Sequence, residues 1–153
     1  WKKEIDVGLN GSFLCSKYFG KIISKNKLNG VILNISSDLG IISPDQNLYN
    51  EKYNDFKVAK PASYTVVKSG IIGLTKYLAS YWGNKNLRCN CLCFGGMKKD
   101  QSKKFNNRII KKIPLGRMAN KNEYKGTIIF LLSDASSYMN GSTIVVDGGR
   151  TIL

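Results

Sequence analysis

Two short apolar runs, separated by one long helical stretch, set the first limit on what this chain can fold into. Val31-Ile32-Leu33-Asn34-Ile35 and Leu87–Phe94 are not the alternating pattern of a half-exposed strand. Each is closed by turn residues, Ser36-Ser37-Asp38-Leu39-Gly40 after the first and Gly95-Gly96 after the second. Continuous runs of this kind suit strands covered on both faces of a parallel sheet. Between them, Ala62–Trp82 places Val66, Val67, Ile71, Leu74, Leu78 and Tyr81 at helical spacing. Pro61 suits the first turn of that helix and Gly83-Asn84 stops it. Helical spacing also runs over residues 2–25, through Ile5, Leu9, Phe13, Tyr18 and Ile22, where Gly8 and Gly11 point to close packing against a neighbour. Asn29-Gly30 is a turn signal. Residues 43–60 are polar and without period, which predicts a long loop of the kind that is commonly functional. Residues 100–113 read as a basic amphipathic helix ended by Pro114-Leu115-Gly116. Residues 122–132 read as a helix capped by Asn120 or Asn122, and 142–146 as a last short strand before Asp147-Gly148-Gly149. Strands alternating with helices predict an α/β fold with a parallel sheet.

Composition narrows the function. At 153 residues the chain is about one domain. It holds no apolar run long enough to span a membrane and no secretory signal pattern. It opens on Trp1 in a helical pattern, without an initiator Met, so the expectation is a segment of a longer chain. The net charge is +14, from 24 basic and 10 acidic residues. The lysines are scattered, with only short clusters such as Lys98-Lys99, Lys103-Lys104 and Lys111-Lys112. That favours a solvated basic surface over a nucleic-acid stripe. Histidine is absent, which removes Ser–His–Asp, Cys–His and His-ligated metal chemistry. Cys89, Cys91 and Cys93 alternate on one strand face, where neighbours two apart do not have disulfide geometry. With Cys15 they read as small apolar side chains in a reducing cytoplasm, and no metal site is expected.

Tyr64 and Lys68 stand four apart on the long helix and share a face. A phenol ordinarily titrates at about 10. A neighbouring ammonium favours the phenolate, and such a pair can act as general acid and base toward a carbonyl or alcohol. Ser36-Ser37 ends a strand, which is where open α/β sheets hold ligands. A hydroxyl there can donate to a developing oxyanion. Gly95-Gly96 forms a small-residue corner that a ligand can approach closely.

These residues, in this order, resemble the C-terminal part of the short-chain dehydrogenases/reductases, and the resemblance covers nearly the whole chain. Asn34-Ile35-Ser36-Ser37 is similar to the family's catalytic-serine strand, with Ser37 at the reactive position. Tyr64-Thr65-Val66-Val67-Lys68-Ser69-Gly70 matches its Tyr-x-x-x-Lys motif. Arg88-Cys89-Asn90-Cys91-Leu92-Cys93-Phe94-Gly95-Gly96 resembles its Arg-x-Asn strand ending in Pro-Gly. Pro114-Leu115-Gly116-Arg117, Leu131-Leu132-Ser133-Asp134 and the stretch from Gly141 to Gly149 are similar to its late helices and final strand. The resemblance implies a Rossmann-like sheet whose N-terminal half lies outside residues 1–153. It implies hydride transfer between NAD or NADP and a small carbonyl or alcohol substrate. The implied catalytic residues are Ser37, Tyr64 and Lys68, and the implied cofactor contacts are Tyr64, Lys68, Gly95, Gly96 and Met97. A dimer or tetramer through the helices at 2–25 and 62–82 is implied as well.

The sequence departs from the family pattern in several places. The glycine-rich phosphate loop and the Asn-Ala-Gly segment do not occur. Gly8 stands where the family often has a catalytic Asn, and Phe94 replaces the usual Pro. The 27-residue separation of Ser37 from Tyr64 is long for the family. The extra residues, 45–57, are expected over the active site, and with the Pro-Leu-Gly-Arg-Met ending they resemble members from surface-sugar and flagellin-glycan pathways. A sugar or sugar-nucleotide substrate is the resulting expectation. The alternative is a non-catalytic fragment or degenerate copy without cofactor binding.

Overall fold

The computed structural model describes residues 1–49 and 59–153, together with the backbone at 52–53 and 56–57. Its centre is a parallel three-stranded sheet in the order β1-β4-β5, formed by Gly30–Ser37 (β1), Leu87–Phe94 (β4) and Thr143–Val146 (β5). Gly30 pairs with Leu87 and Ser37 with Phe94 across the first pair; Cys91 pairs with Thr143 and Phe94 with Val146 across the second. The two apolar runs are therefore paired in register to their ends, with β4 central. β1 is left as an edge. Lys52–Tyr53 (β2) and Phe56–Lys57 (β3) make a separate antiparallel pair inside the expected loop. Residues 50, 51, 54, 55 and 58 of that segment lie outside the described residues.

Helix α3 (Ala62–Trp82) packs across β1 and β4 and has the bounds its apolar spacing predicts. Side chains on a strand alternate between faces. Cys91 and Cys93 pack with Val67 and Ile71 of α3, and Cys89 with Leu78, Ala79 and Trp82. The intervening Asn90 and Leu92 are equally buried on the opposite face. There α5 (Lys125–Leu132) and the segment after it cover the sheet. A strand buried on both sides explains why Leu87–Phe94 does not alternate.

The first helical stretch is continuous but not uniform. Lys2–Ile5 (α1) passes through a π turn at Asp6–Asn10 into Gly11–Lys25 (α2). The predicted helix at 100–113 is shorter. It begins at Lys103–Ile109 (α4), with Ser102 as N-cap accepting from the Phe105 N–H, and tightens to a 3-10 turn at Ile110–Lys112. The cap of the late helix is Asn120. Its side chain and that of Glu123 form a reciprocal capping box on a 3-10 turn, Lys121–Tyr124, that leads into α5.

Polar side chains replace backbone ladder bonds where β4 meets its neighbours. Asn90 accepts from the Ser142 N–H and donates to the Met139 carbonyl. Asn140 accepts from the Cys89 N–H and donates to the Ala79 carbonyl. Arg88 donates to the Ser133 and Met139 carbonyls. The Arg-x-Asn pattern thus welds β4 to the start of β5. In the core, Asn34 donates to Thr75 at 2.9 Å, and Thr75 donates back to Ile71.

Cys15 is exposed, whereas Cys89, Cys91 and Cys93 are buried. Burial also pushes the Cys89 thiol up to about 12, and the hydrogen bond with Cys93, followed by burial, pushes Cys91 up as well. A colorimetric thiol reagent is therefore expected to modify only Cys15 of the native chain, with the other three reacting after denaturation. Rapid native reaction of a second thiol contradicts this packing.

Candidate active site

The C-terminal end of β1 and one turn of α3 are laced together. Ser36 donates to the Lys68 carbonyl at 2.7 Å, and Ser69 donates to the Gly40 carbonyl at 2.9 Å. A Cβ on Gly40 would lie 2.8 Å from the Ser36 hydroxyl and 2.9 Å from the Lys68 carbonyl carbon and oxygen. Only glycine lets the strand-end turn come this close. The lacing fixes where Tyr64, one helical turn before Lys68, stands relative to Ser37.

Ser37, Tyr64, Gly95, Gly96 and Met97 line one cavity of about 370 Å³ at the C-terminal ends of β1 and β4. Asp38, Tyr49, Lys60, Phe105 and Arg150 also face it. The glycine corner is a wall with its own brace. The Gly96 carbonyl accepts from the Ala119 N–H, and the Lys98 N–H donates to the Ala119 carbonyl. Ala119 is followed by the Asn120 cap, where the Glu123 carboxylate receives the Asn120 N–H and both Arg117 nitrogens, the latter at 2.7 Å. The Arg117 guanidinium, together with the Asn120 N–H, holds the Glu123 carboxyl down at about 2. Tyr124 donates to the Gly95 carbonyl at 3.1 Å from beneath, and its ring packs on Phe94.

Lys68 stands apart from this cavity. Its Nζ donates to the Ile35 carbonyl at 3.0 Å and lies 5.8 Å from the centre of the Tyr64 ring. It lines the adjacent groove of about 570 Å³ between α2 and the edge of β1. Burial pushes its ammonium below the usual lysine range. A second ammonium, absent from the sequence-based candidates, sits closer to the phenol. Lys60 Nζ is 3.6 Å from the centre of the Tyr64 ring, a cation–π stack. Burial lowers its pKa as well. The Gln46 side chain holds the Lys60 backbone from both sides, donating to its carbonyl and accepting its N–H. Lys60 sits four residues before Tyr64, but Pro61 separates it from the helix, so no helical spacing marked it.

Gly8 is filled from outside. A Cβ there would lie 2.6 Å from Val67 Cγ1. Val67 is itself buried, so no Asn side chain fits beside it. Asn10 instead donates to Asp6 at the surface, away from the phenol. Overpacking of a filled core costs about 1–3 kcal/mol. Gly8→Asn is expected to lower the unfolding free energy by about that amount. Adding Val67→Ala is expected to recover part of the loss. Equal stability of the wild-type and Gly8→Asn chains in urea unfolding contradicts the contact.

A protein-family model described as enoyl-(acyl carrier protein) reductase matches residues 1–151. A 3-oxoacyl-[acyl-carrier-protein] reductase from Synechocystis is 35% identical over 155 residues, covering 99% of this chain and 56% of its own. The post-translational flagellin modification protein A of Campylobacter coli is 33% identical over 147 residues, with 96% and 56% coverage. A short-chain dehydrogenase from Leptospira borgpetersenii, crystallised with bound NAD+, superposes with a TM-score of 0.88 at 37% identity. That match covers 96% of this chain and 54% of the other. The chain therefore spans about half the length of the curated relatives it matches. Agreement of the motif order, the parallel sheet and the family model across residues 1–151 leads to one conclusion: the chain belongs to the short-chain dehydrogenase/reductase family.

Proposed function

We propose that residues 1–153 form the C-terminal part of a single Rossmann-like domain in an NAD(P)-dependent oxidoreductase. The reaction is hydride transfer between a nicotinamide cofactor and a carbonyl or alcohol. The observation that carries this reading is the convergence of Ser37, Tyr64 and the Gly95–Met97 wall on one cavity, with two ammonium groups about the Tyr64 ring.

The residues present fit one end of a dinucleotide. Gly95, Gly96 and Met97 form one wall of the cavity, and a Cβ on Gly96 would make only an ordinary 3.4 Å contact with the Met118 side chain, which also lines it. Gly95, Gly96 and Met97 would hold the nicotinamide against that wall, with Tyr64 and Lys68 toward its ribose. When bound, the cofactor supplies or accepts the hydride. Tyr64 would give its hydroxyl proton to the substrate oxygen in reduction and take it back in oxidation. Lys60 and Lys68 would favour the negative phenolate oxygen that exists between those events. Ser37 would hold the substrate oxygen in reach.

The substrate we favour is a sugar or sugar nucleotide. The flagellin-modification relative and the polar cavity rim at Tyr49, Lys60 and Gln101 support it. We also place the protein in the cytoplasm as a homo-oligomer, dimer or tetramer. The exposed Phe13 and Tyr18 of α2 and Tyr77 and Tyr81 of α3 are compatible with burial against a second copy. Among the described residues, no helix is long and apolar enough to cross a membrane. The alternative, a degenerate copy without cofactor binding, draws on the Val67 side chain that fills the place beside Gly8.

Steady-state reduction of a 3-oxoacyl thioester and of a keto sugar by NADH or NADPH, in the protein that carries this chain, tests the assignment. Tyr64→Phe is expected to lower kcat by about 10²–10⁴-fold, with Lys60→Met and Lys68→Met each giving smaller losses. Near-normal turnover by Tyr64→Phe overturns the acid/base role. Absence of any NADH or NADPH binding, followed by nucleotide fluorescence, supports the degenerate copy.

A further inference from the structure

Two opposite charges line the cavity, and the proton transfer just described uses neither. Arg150 reaches from the turn after β5 to Asp38, the residue after Ser37. The ion pair is 2.7 Å long, with side chains only 7% and 4% exposed. Arg150 is placed by its own turn. The Asp147 carboxylate receives the N–H groups of Gly149 and Thr151 on either side of it. Gly148 and Gly149 take positive φ values of 69° and 87° there, a conformation other residues rarely adopt.

One Asp38 oxygen takes the guanidinium. The other, Oδ1, accepts from Ser37 Oγ at 2.8 Å and from the Leu39 N–H at 2.8 Å. An ionised carboxylate has no proton to give. The single hydroxyl proton of Ser37 is therefore directed at Asp38. Ser37 Oγ also accepts from the Leu39 N–H, at 3.2 Å. What remains for the cavity is a lone pair. Replacing a buried ion pair with apolar residues often leaves stability unchanged or higher, so stability alone is a weak reason for these two charges.

We propose that Arg150 and Asp38 are positioning residues that hold the Ser37 hydroxyl proton and turn its acceptor side toward the cavity. The partner that this side fits is a hydroxyl on the substrate, as in an alcohol or polyol. A ketone oxygen, lacking a proton, can be held only after Ser37 leaves Asp38. The assignment rests on the reading of Ser37 as the residue that holds substrate.

Nuclear magnetic resonance of the protein that carries this chain tests it directly, through the Ser37 side-chain couplings and the exchange rate of its hydroxyl proton. Wild type is expected to show one Ser37 rotamer and a slowly exchanging hydroxyl. In Asp38→Asn, Arg150 draws the amide oxygen and the amide N–H₂ faces Ser37, so hydroxyl exchange quickens by about tenfold or more. In Arg150→Met the rotamer averages, and in Arg150→Lys it returns to one state. The rest of the amide spectrum reports whether each variant is folded. Should Arg150→Met fail to fold, the near-isosteric Asp38→Asn decides. A single rotamer with slow exchange in Asp38→Asn overturns the proposal. If Ser37 ordering depends on the pair yet Ser37→Ala leaves turnover of the protein unchanged, the positioning stands and the substrate-holding role of Ser37 fails.

Discussion

The seam between the end of β1 and the first turns of α3 is the contact on which the site depends. Two side chain-to-backbone hydrogen bonds cross it, Ser36 to the Lys68 carbonyl and Ser69 to the Gly40 carbonyl. Gly40 lets the two backbones meet. Because Tyr64 and Lys68 belong to a single rigid helix, fixing the helix at Lys68 and Ser69 fixes the phenol too. β4 is held parallel and in register beside β1 to the last residue, Ser37 against Phe94. The glycine corner therefore emerges next to the serine turn without further adjustment.

Around that seam the chain gathers more charge than its motifs announce. Two half-buried ammonium groups approach the Tyr64 ring from different elements, and burial disfavours the charged form of each. A cation held where water is scarce interacts more strongly with a neighbouring anion than one in bulk solvent. The stacked Lys60 lies 3.6 Å and the more distant Lys68 5.8 Å from the centre of the Tyr64 ring. Beneath it, Arg150 and Asp38 bring the turn after β5 into the same cavity. The site is assembled from segments between Ser37 and Arg150, and Arg150 is the last of them to arrive in sequence.

Much of this was legible beforehand where the signal is local. The uninterrupted apolar run at Leu87–Phe94 is a strand buried on both faces, and Ala62–Trp82 is a helix with the bounds its spacing implied. Gly8 did mark a close approach, to Val67. The reading was poorer where partners come from distant segments. The π turn at Asp6–Asn10 leaves no residue signature, because it is a change of hydrogen-bond register within one apolar pattern. Lys60 looked like loop, since its role comes from a ring four residues on and from a Gln46 side chain that holds its backbone. Arg150 lies outside every motif, because its partner, Asp38, stands 112 positions earlier in the chain.

The sequence by itself determined the layering and the order of the strands' supporting elements, because side-chain periodicity is a property of the local chain, and its resemblance to the family's motifs marks Ser37, Tyr64 and Lys68 as the candidates. Tertiary structure alone decided that Lys68 turns to the Ile35 carbonyl and faces the neighbouring groove, that Lys60 takes the place above the phenol, and that the Ser37 proton is directed at Asp38. Hydrogen-bond donors and charges choose among partners by distance in space. Those distances exist only once residues far apart in the chain have been packed against one another.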